Sequence, residues 1–288
     1  GALAVALGAL SLTGCASTAA PESSAPATES TDSAWPRTFE NADGTTTEIP
    51  EAPTSIASTS VSVTGTLLAI DAPVTTSGAA ANGQFFAQWS DVAAERGVDT
   101  LWSAGEVDIE ALYAAEPDLI VVSTSGADSV LDQVPELQEI APTIVVDYGS
   151  QSWEELATEL GEATGLEESA EAAVAEFDAY VEEAASKITV PEGTANVVSF
   201  NGAGENNPIA LAGGAQGTLL TALGFTIEDP KAEWHTQDQQ RSDFVFAEYD
   251  RLTELTGETT FILSADNAGA QAFATDPVLA NLPSVTAG

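Results

Sequence analysis

Short β-rich runs that alternate with helical stretches, a second such set later in the chain, and one uninterrupted amphipathic helix between the sets predict an α/β protein. The architecture expected is two Rossmann-like α/β lobes joined by one long α-helix. A length of 288 residues suits two lobes better than one domain or three. With 44% apolar and 7% aromatic residues the chain can fill ordinary packed interiors, which excludes a wholly disordered or collagen-like protein.

Residues Gly1 to Leu12 carry no charge and read as the apolar part of a secretory signal, too short to span a bilayer as a helix. They lead into Leu12-Thr13-Gly14-Cys15, which resembles the bacterial lipobox. That resemblance makes residues 1–15 a lipoprotein signal with its lipobox and implies acylation of Cys15, the chain's single cysteine, which becomes the mature N-terminus. With no Met or basic segment ahead of it, the sequence is expected to begin inside that signal. Two or three acyl chains would anchor the protein, each buried methylene contributing about 0.8 kcal/mol. Residues 16–34, rich in Ala, Ser, Thr, Pro and Glu, lack large apolar side chains to offset ordering entropy, so they read as a disordered tether.

The N-terminal α/β lobe is expected over 35–166. Arg37 to Ile49 alternates around Asp43-Gly44 and predicts a hairpin. Strands are expected at Ile56 to Thr59, Leu119 to Ser123 and Thr143 to Asp147. Helices are expected at Val61 to Ile70, Phe85 to Arg96, Ile109 to Ala115, Ser129 to Ile140 and Trp153 to Thr164. The connecting segment, 167–190, carries Ala170, Ala173, Val174, Phe177, Tyr180, Val181, Ala184 and Ile188 at three- and four-residue spacing. This is one helix of about 33 Å, a stiff strut with no Gly or Pro before Pro191. The C-terminal α/β lobe, 191–288, has strands expected at Asn196 to Phe200 and Thr260 to Ser264 and a helix at Gln216 to Leu223. Both lobes place a glutamate, Glu110 and Glu248, at an expected helix start ahead of a buried strand, where the helix macrodipole favours an acid.

The 45 Asp and Glu against 6 Lys and Arg give a formal charge of −39, which repels phosphate backbones and excludes a nucleic-acid partner. So large an excess suggests salty surroundings that screen self-repulsion. One His, one Cys and no Met leave too few soft ligands for a structural zinc or a multi-ligand haem site. Nor is there a Gly-x-Ser-x-Gly elbow, a Walker lysine or a His-Glu-x-x-His, so the chain reads as a non-enzyme. The four tyrosines, Tyr113, Tyr148, Tyr180 and Tyr249, make a poor cage for bare ferric ion. An adhesive surface lipoprotein would need neither two lobes nor a stiff helix.

The lipobox, tether, paired lobes and long helix, with Glu116-Pro117-Asp118-Leu119-Ile120-Val121-Val122, resemble the iron-siderophore and cobalamin class of ABC-transporter solute-binding lipoproteins. The run from Ser58 to Val74, then Gln88 to Arg96, Ile140-Ala141-Pro142-Thr143 and Ala215-Gln216-Gly217, are similar to its ferric-catecholate, enterobactin-like branch. The resemblance extends from about Pro53 to Ala287. It implies a class III, helical-backbone solute-binding fold, a monomer without cofactor, and an interlobe cleft for a ferric siderophore that itself holds the iron. The alternatives are a hydroxamate siderophore or haem as ligand, or a surface lipoprotein with no transport role. It also implies ABC permease subunits as partners, docking at Glu110 and Glu248, and a location on the outer face of the cytoplasmic membrane, as in a Gram-positive bacterium.

A ferric tricatecholate is a trianion with flat aromatic faces, so its site needs cations and aromatic surface. Lys231 and Arg241 share one loop with Trp234 and the sole histidine, His235, and Arg241 matches a basic residue of the family. Trp102, Ser103, Thr124 with the neighbouring Ser125, and Asn207 occupy expected strand-end loops and complete the candidate contacts. Three features depart from the family: Ala210 stands near a position that is aromatic in relatives, the loop before Gln84 lacks a basic residue, and the sequence stops at Gly288 before an expected last strand and helix.

Overall fold

The computed structural model describes residues 35–238, 241–263 and 265–286; the lipobox, Cys15 and the tether lie outside them. The hairpin forms as β1 (Arg37–Glu40) and β2 (Thr46–Ile49), with Gly44 at φ 84° in its turn. Asn41 pins it to the first sheet, its Oδ1 accepting the Val145 N–H at 2.8 Å while Thr47 donates to the Thr143 carbonyl at 2.6 Å.

That sheet is built from β3 (Ile56–Ser58), β4 (Val74–Ala79), β5 (Asp99–Ser103), β6 (Leu119–Ser123) and β7 (Thr143–Val146). All its pairings are parallel and its order is β5-β4-β3-β6-β7. Helices α1 (Val61–Ala69), α2 (Ser90–Arg96), α3 (Ile109–Ala115) and α4 (Val134–Leu137) connect the strands and, with α5 (Trp153–Thr164) after β7, cover both faces. Burial on both sides is why β6 and β7 read as continuous Leu, Ile and Val runs. The winding reverses between β3 and β6, leaving a crevice beyond their carboxyl ends.

Helix α5 begins with a capping box, Ser152 reciprocated by Glu155, and ends at Gly165 in the left-handed region. Helix α6 (Glu167–Lys187) follows directly and packs on α5, with Gly161 leaving room for Ala170. It is the expected strut. Its apolar face is narrower than its spacing suggested: only Ala170 and Val181 are buried, and Tyr180 is 69% exposed. Among the described residues no helix is long and apolar enough to cross a membrane.

The second sheet contains β8 (Ala195–Val198), β9 (Asn206–Ala210), β10 (Phe244–Glu248) and β11 (Thr259–Ile262) in the order β10-β9-β8-β11. It is mixed, since β9 runs antiparallel to β8 and β10 and only β8 and β11 are parallel. Helix α7 (Ala215–Ala222) packs on α6, and α8 (Asn267–Ala274) and α9 (Pro283–Thr286) follow later in the chain.

Several expected elements differ. The segment read as a helix start at Val245 to Tyr249 is β10, whose alternating burial shows a period of two. Glu248 therefore ends a strand and precedes a 3₁₀ turn over Tyr249–Glu254, whereas Glu110 lies in the first turn of α3 as expected. The helix expected over Ser129 to Ile140 shrinks to a 3₁₀ turn and α4, where Pro135 occupies the first turn. Phe85 and Phe86 precede α2 in a loop and pack their rings against Trp89.

Candidate ligand-binding cleft

The crevice beyond β3 and β6 is organised around Asp128, a carboxylate only 7% exposed. It accepts from the Ser60 hydroxyl at 2.6 Å, the Ser62 N–H at 3.2 Å and the Tyr148 hydroxyl at 3.4 Å. The loop after β3 is thereby tied to the loops after β6 and β7. Gly126 permits this approach: it sits at φ +89°, and a Cβ there would lie 1.9 Å from the Tyr148 hydroxyl oxygen. Burial raises the Tyr148 phenol pKa, and the charge of Asp128 raises it further, so Tyr148 remains a neutral donor.

Beside Tyr148, the Asp147 carboxylate accepts from the Ser125 hydroxyl and from the Gly149 N–H. Burial would raise its pKa, but these hydrogen bonds outweigh burial and hold it below the ordinary value. From the second lobe, Arg241–Phe244 and the start of α7 close the opposite side. The Ser242 hydroxyl donates to the Gly149 carbonyl across the gap.

Two adjoining cavities result. The larger, about 420 Å³, has Ser62, Phe86, Tyr148, Gln216, Arg241 and Phe244 in its wall, together with Glu155 and Asp243. The smaller, about 250 Å³, lies between Ser125–Gly126, Asp147 and Arg241. Among the described residues, Arg241 is the one cation lining either cavity. Its Nε donates to Asp243 Oδ1 at 2.7 Å and its Nη2 to Oδ2 at 2.5 Å, and the hydrogen bond to Asp243 raises its pKa further. A cavity between two lobes, lined by a guanidinium and three aromatic rings, suits a flat anionic or polar chelate.

The structure separates the loop cluster that the sequence suggests. Lys231 pairs with Glu254 at 2.8 Å and lies 5.0 Å over the Trp234 ring, while Trp234 is 5% exposed in the second lobe's core. His235 accepts the Phe246 N–H on Nδ1 and packs edge-on against the Phe246 ring. Trp102 is buried in the core of the first lobe, and Ser103 ends β5. Asn207 is fully buried, its amide holding the Asn201–Glu205 turn through the N–H groups of Asn201 and Gly202. Thr124 extends the β6–β7 ladder by donating its N–H to Val146. None of these seven lines either cavity that holds Arg241. Tyr148, Phe86 and Phe244, which do line the larger one, were not among the sequence candidates. A signal for Tyr148 existed: it follows the strand expected to end at Asp147, where cleft loops emerge.

Residues 56–288 match the periplasmic binding protein family. The ferric enterobactin-binding periplasmic protein FepB of Escherichia coli O6:H1 strain CFT073 is 38% identical over 261 residues, 87% of this chain and 81% of that protein. The crystal structure of holo-ViuP is similar at a TM-score of 0.86 and 49% identity, covering 88% of this chain and 86% of that one. The periplasmic catecholate-siderophore binding protein VctP from Vibrio cholerae shares the fold at a TM-score of 0.61 and 17% identity, with 88% and 89% covered. With two α/β lobes, a long connecting helix and a cleft at the turning point of the sheet, the chain belongs to the periplasmic binding protein family.

Proposed function

We propose that this protein is the extracytoplasmic substrate-binding component of an ABC transporter, capturing a ferric catecholate siderophore and presenting it to a membrane permease. The observation that carries the reading is the interlobe cleft, where the Arg241 guanidinium stands among Tyr148, Phe86 and Phe244. A guanidinium bonds catecholate oxygens, and aromatic faces stack on catechol rings. The 38% identity to a protein named for ferric enterobactin supports the ligand class. In this reading Cys15 carries the lipid anchor on the outer face of the cytoplasmic membrane, and the iron is held by the siderophore with no protein ligand of its own. The protein acts as a monomer without catalytic activity. The exposed Glu110 and Glu248 are the docking anions, one per lobe.

Titration of the protein with ferric catecholate, ferric hydroxamate and haem, followed by tryptophan quenching, tests this. Saturable binding of a ferric catecholate, with weaker responses to the other two, is expected. Preferential binding of hydroxamate or haem would move the protein to another iron chelate, and no response to any of them would end the transport reading.

A further inference from the structure

We propose that Asp243 sets the charge selectivity of the cleft, tuning it to ferric chelates that carry less negative charge than a tricatecholate trianion. This rests on the siderophore reading above and narrows it. Both oxygens of Asp243 engage Arg241, and the two side chains are only 14% and 22% exposed. Water therefore screens this pair less than a surface pair, and much of the guanidinium field is cancelled at its source.

The surrounding charges act in the same direction. Asp147 borders the smaller cavity and Glu155 the larger, so among the described residues the two cavities carry one cation against three carboxylates. The hydrogen bonds to Asp147 hold it in its charged form at neutral pH. Lys231 is engaged by Glu254 and lines neither cavity. Beyond the cleft, a formal charge of −39 gives a far field that repels anions. The features that attract a chelate without regard to its charge are the rings of Tyr148, Phe86 and Phe244 and the N–H groups of Arg241 that Asp243 leaves unused.

The test is a fluorescence titration of the full chain with three probes: a ferric tricatecholate (trianion), a ferric bis-catecholate (monoanion) and a ferric trihydroxamate (neutral), each at low and molar salt. The bis-catecholate is expected to bind at least about tenfold tighter than the trianion at low salt, with the gap narrowing as salt screens the field. Asp243→Asn, which keeps the side-chain shape and removes its charge, is expected to shrink the ratio of the two dissociation constants about tenfold. Asp243→Glu is expected to preserve the ratio, which a merely structural role for the position would not require. If the trianion binds most tightly and Asp243→Asn leaves the ranking unchanged, the charge assignment is wrong while the siderophore reading stands. If none of the three chelates binds, the siderophore reading fails and takes this inference with it.

Discussion

Replacing Arg241 by Ala removes the one guanidinium among the described residues that line the cleft and leaves Asp243 and Asp147 there without it. A hydrogen bond to a charged partner contributes about 1.5–3 kcal/mol. Arg241 already spends two of its N–H groups on Asp243, so the lower part of that range applies, about 1.5–2 kcal/mol for a monoanionic ferric chelate. The dissociation constant should rise roughly 10- to 30-fold. Arg241→Lys restores a point charge but not the planar fork, and should recover only part of the loss. Isothermal titration calorimetry of the three proteins at one ionic strength gives the comparison, and thermal melts show whether each variant is folded. A folded Arg241→Ala protein whose affinity changes less than about threefold for every ferric chelate would refute the placement of ligand beside this residue.

Gly126→Ala forces a side chain into the left-handed region and against the Tyr148 hydroxyl and Asp128; it should lower stability by about 1–3 kcal/mol and weaken ligand binding, read by denaturant melts and titration. Tyr249 donates to Asp276 at 2.6 Å, and that hydrogen bond pushes its pKa up to about 12. The folded state thus holds the phenolic proton more tightly than the unfolded state, so this contribution is complete below the ordinary value of 10.0 and is lost as pH rises through about 12. Absorbance titration of the phenolates should show Tyr249 titrating above the ordinary range, as Tyr148 also does, and Asp276→Asn should return Tyr249 alone towards its ordinary value. Because 45 acidic residues face 6 basic ones, the melting temperature should climb from low to molar salt, and a flat response would remove self-repulsion from the account. The pair Glu110→Ala with Glu248→Ala should leave siderophore titrations intact while reducing ligand-stimulated ATPase activity of the reconstituted transporter; undiminished uptake in cells would reject the docking role.

The elements legible in the sequence are those whose surroundings repeat along the chain. Strands β6 and β7 lie between two helical layers and show as unbroken Leu, Ile and Val runs, α5 announces itself by Ser152 and Glu155, and the Asp43-Gly44 turn declares the hairpin. Strand β4, Val-Thr-Thr-Ser-Gly-Ala, carries no such signal, although it lies inside the sheet. Its Gly78 is required because a Cβ there would meet the Thr59 carbonyl oxygen at 2.3 Å, a contact with the residue that follows β3 which local sequence does not encode. Strand β10 looks like a helix start until its pairing with β9 imposes a period of two.

The same division runs through the site. Among six basic residues in so acidic a chain, Arg241 stands out by scarcity, and the sequence alone brings it forward together with the two-lobe plan and the strut. What it cannot convey is which neighbours remain neighbours. Lys231 and Arg241 are close in sequence, yet the 3₁₀ turn Ala232–Trp234 packs Trp234 into the core and leaves Lys231, at its start, with Glu254. Tyr148, Asp147 and Asp128 come from loops after two strands and meet because β6 and β7 are parallel neighbours whose carboxyl ends lie side by side. Composition and periodicity report how each segment partitions between water and the interior, so they determined the class of fold and the charge of the protein. The field inside the cleft depends on distances of a few ångströms between residues remote in sequence, Asp147 to Gly149 on one side and Arg241 to Asp243 on the other; only the tertiary structure decided those.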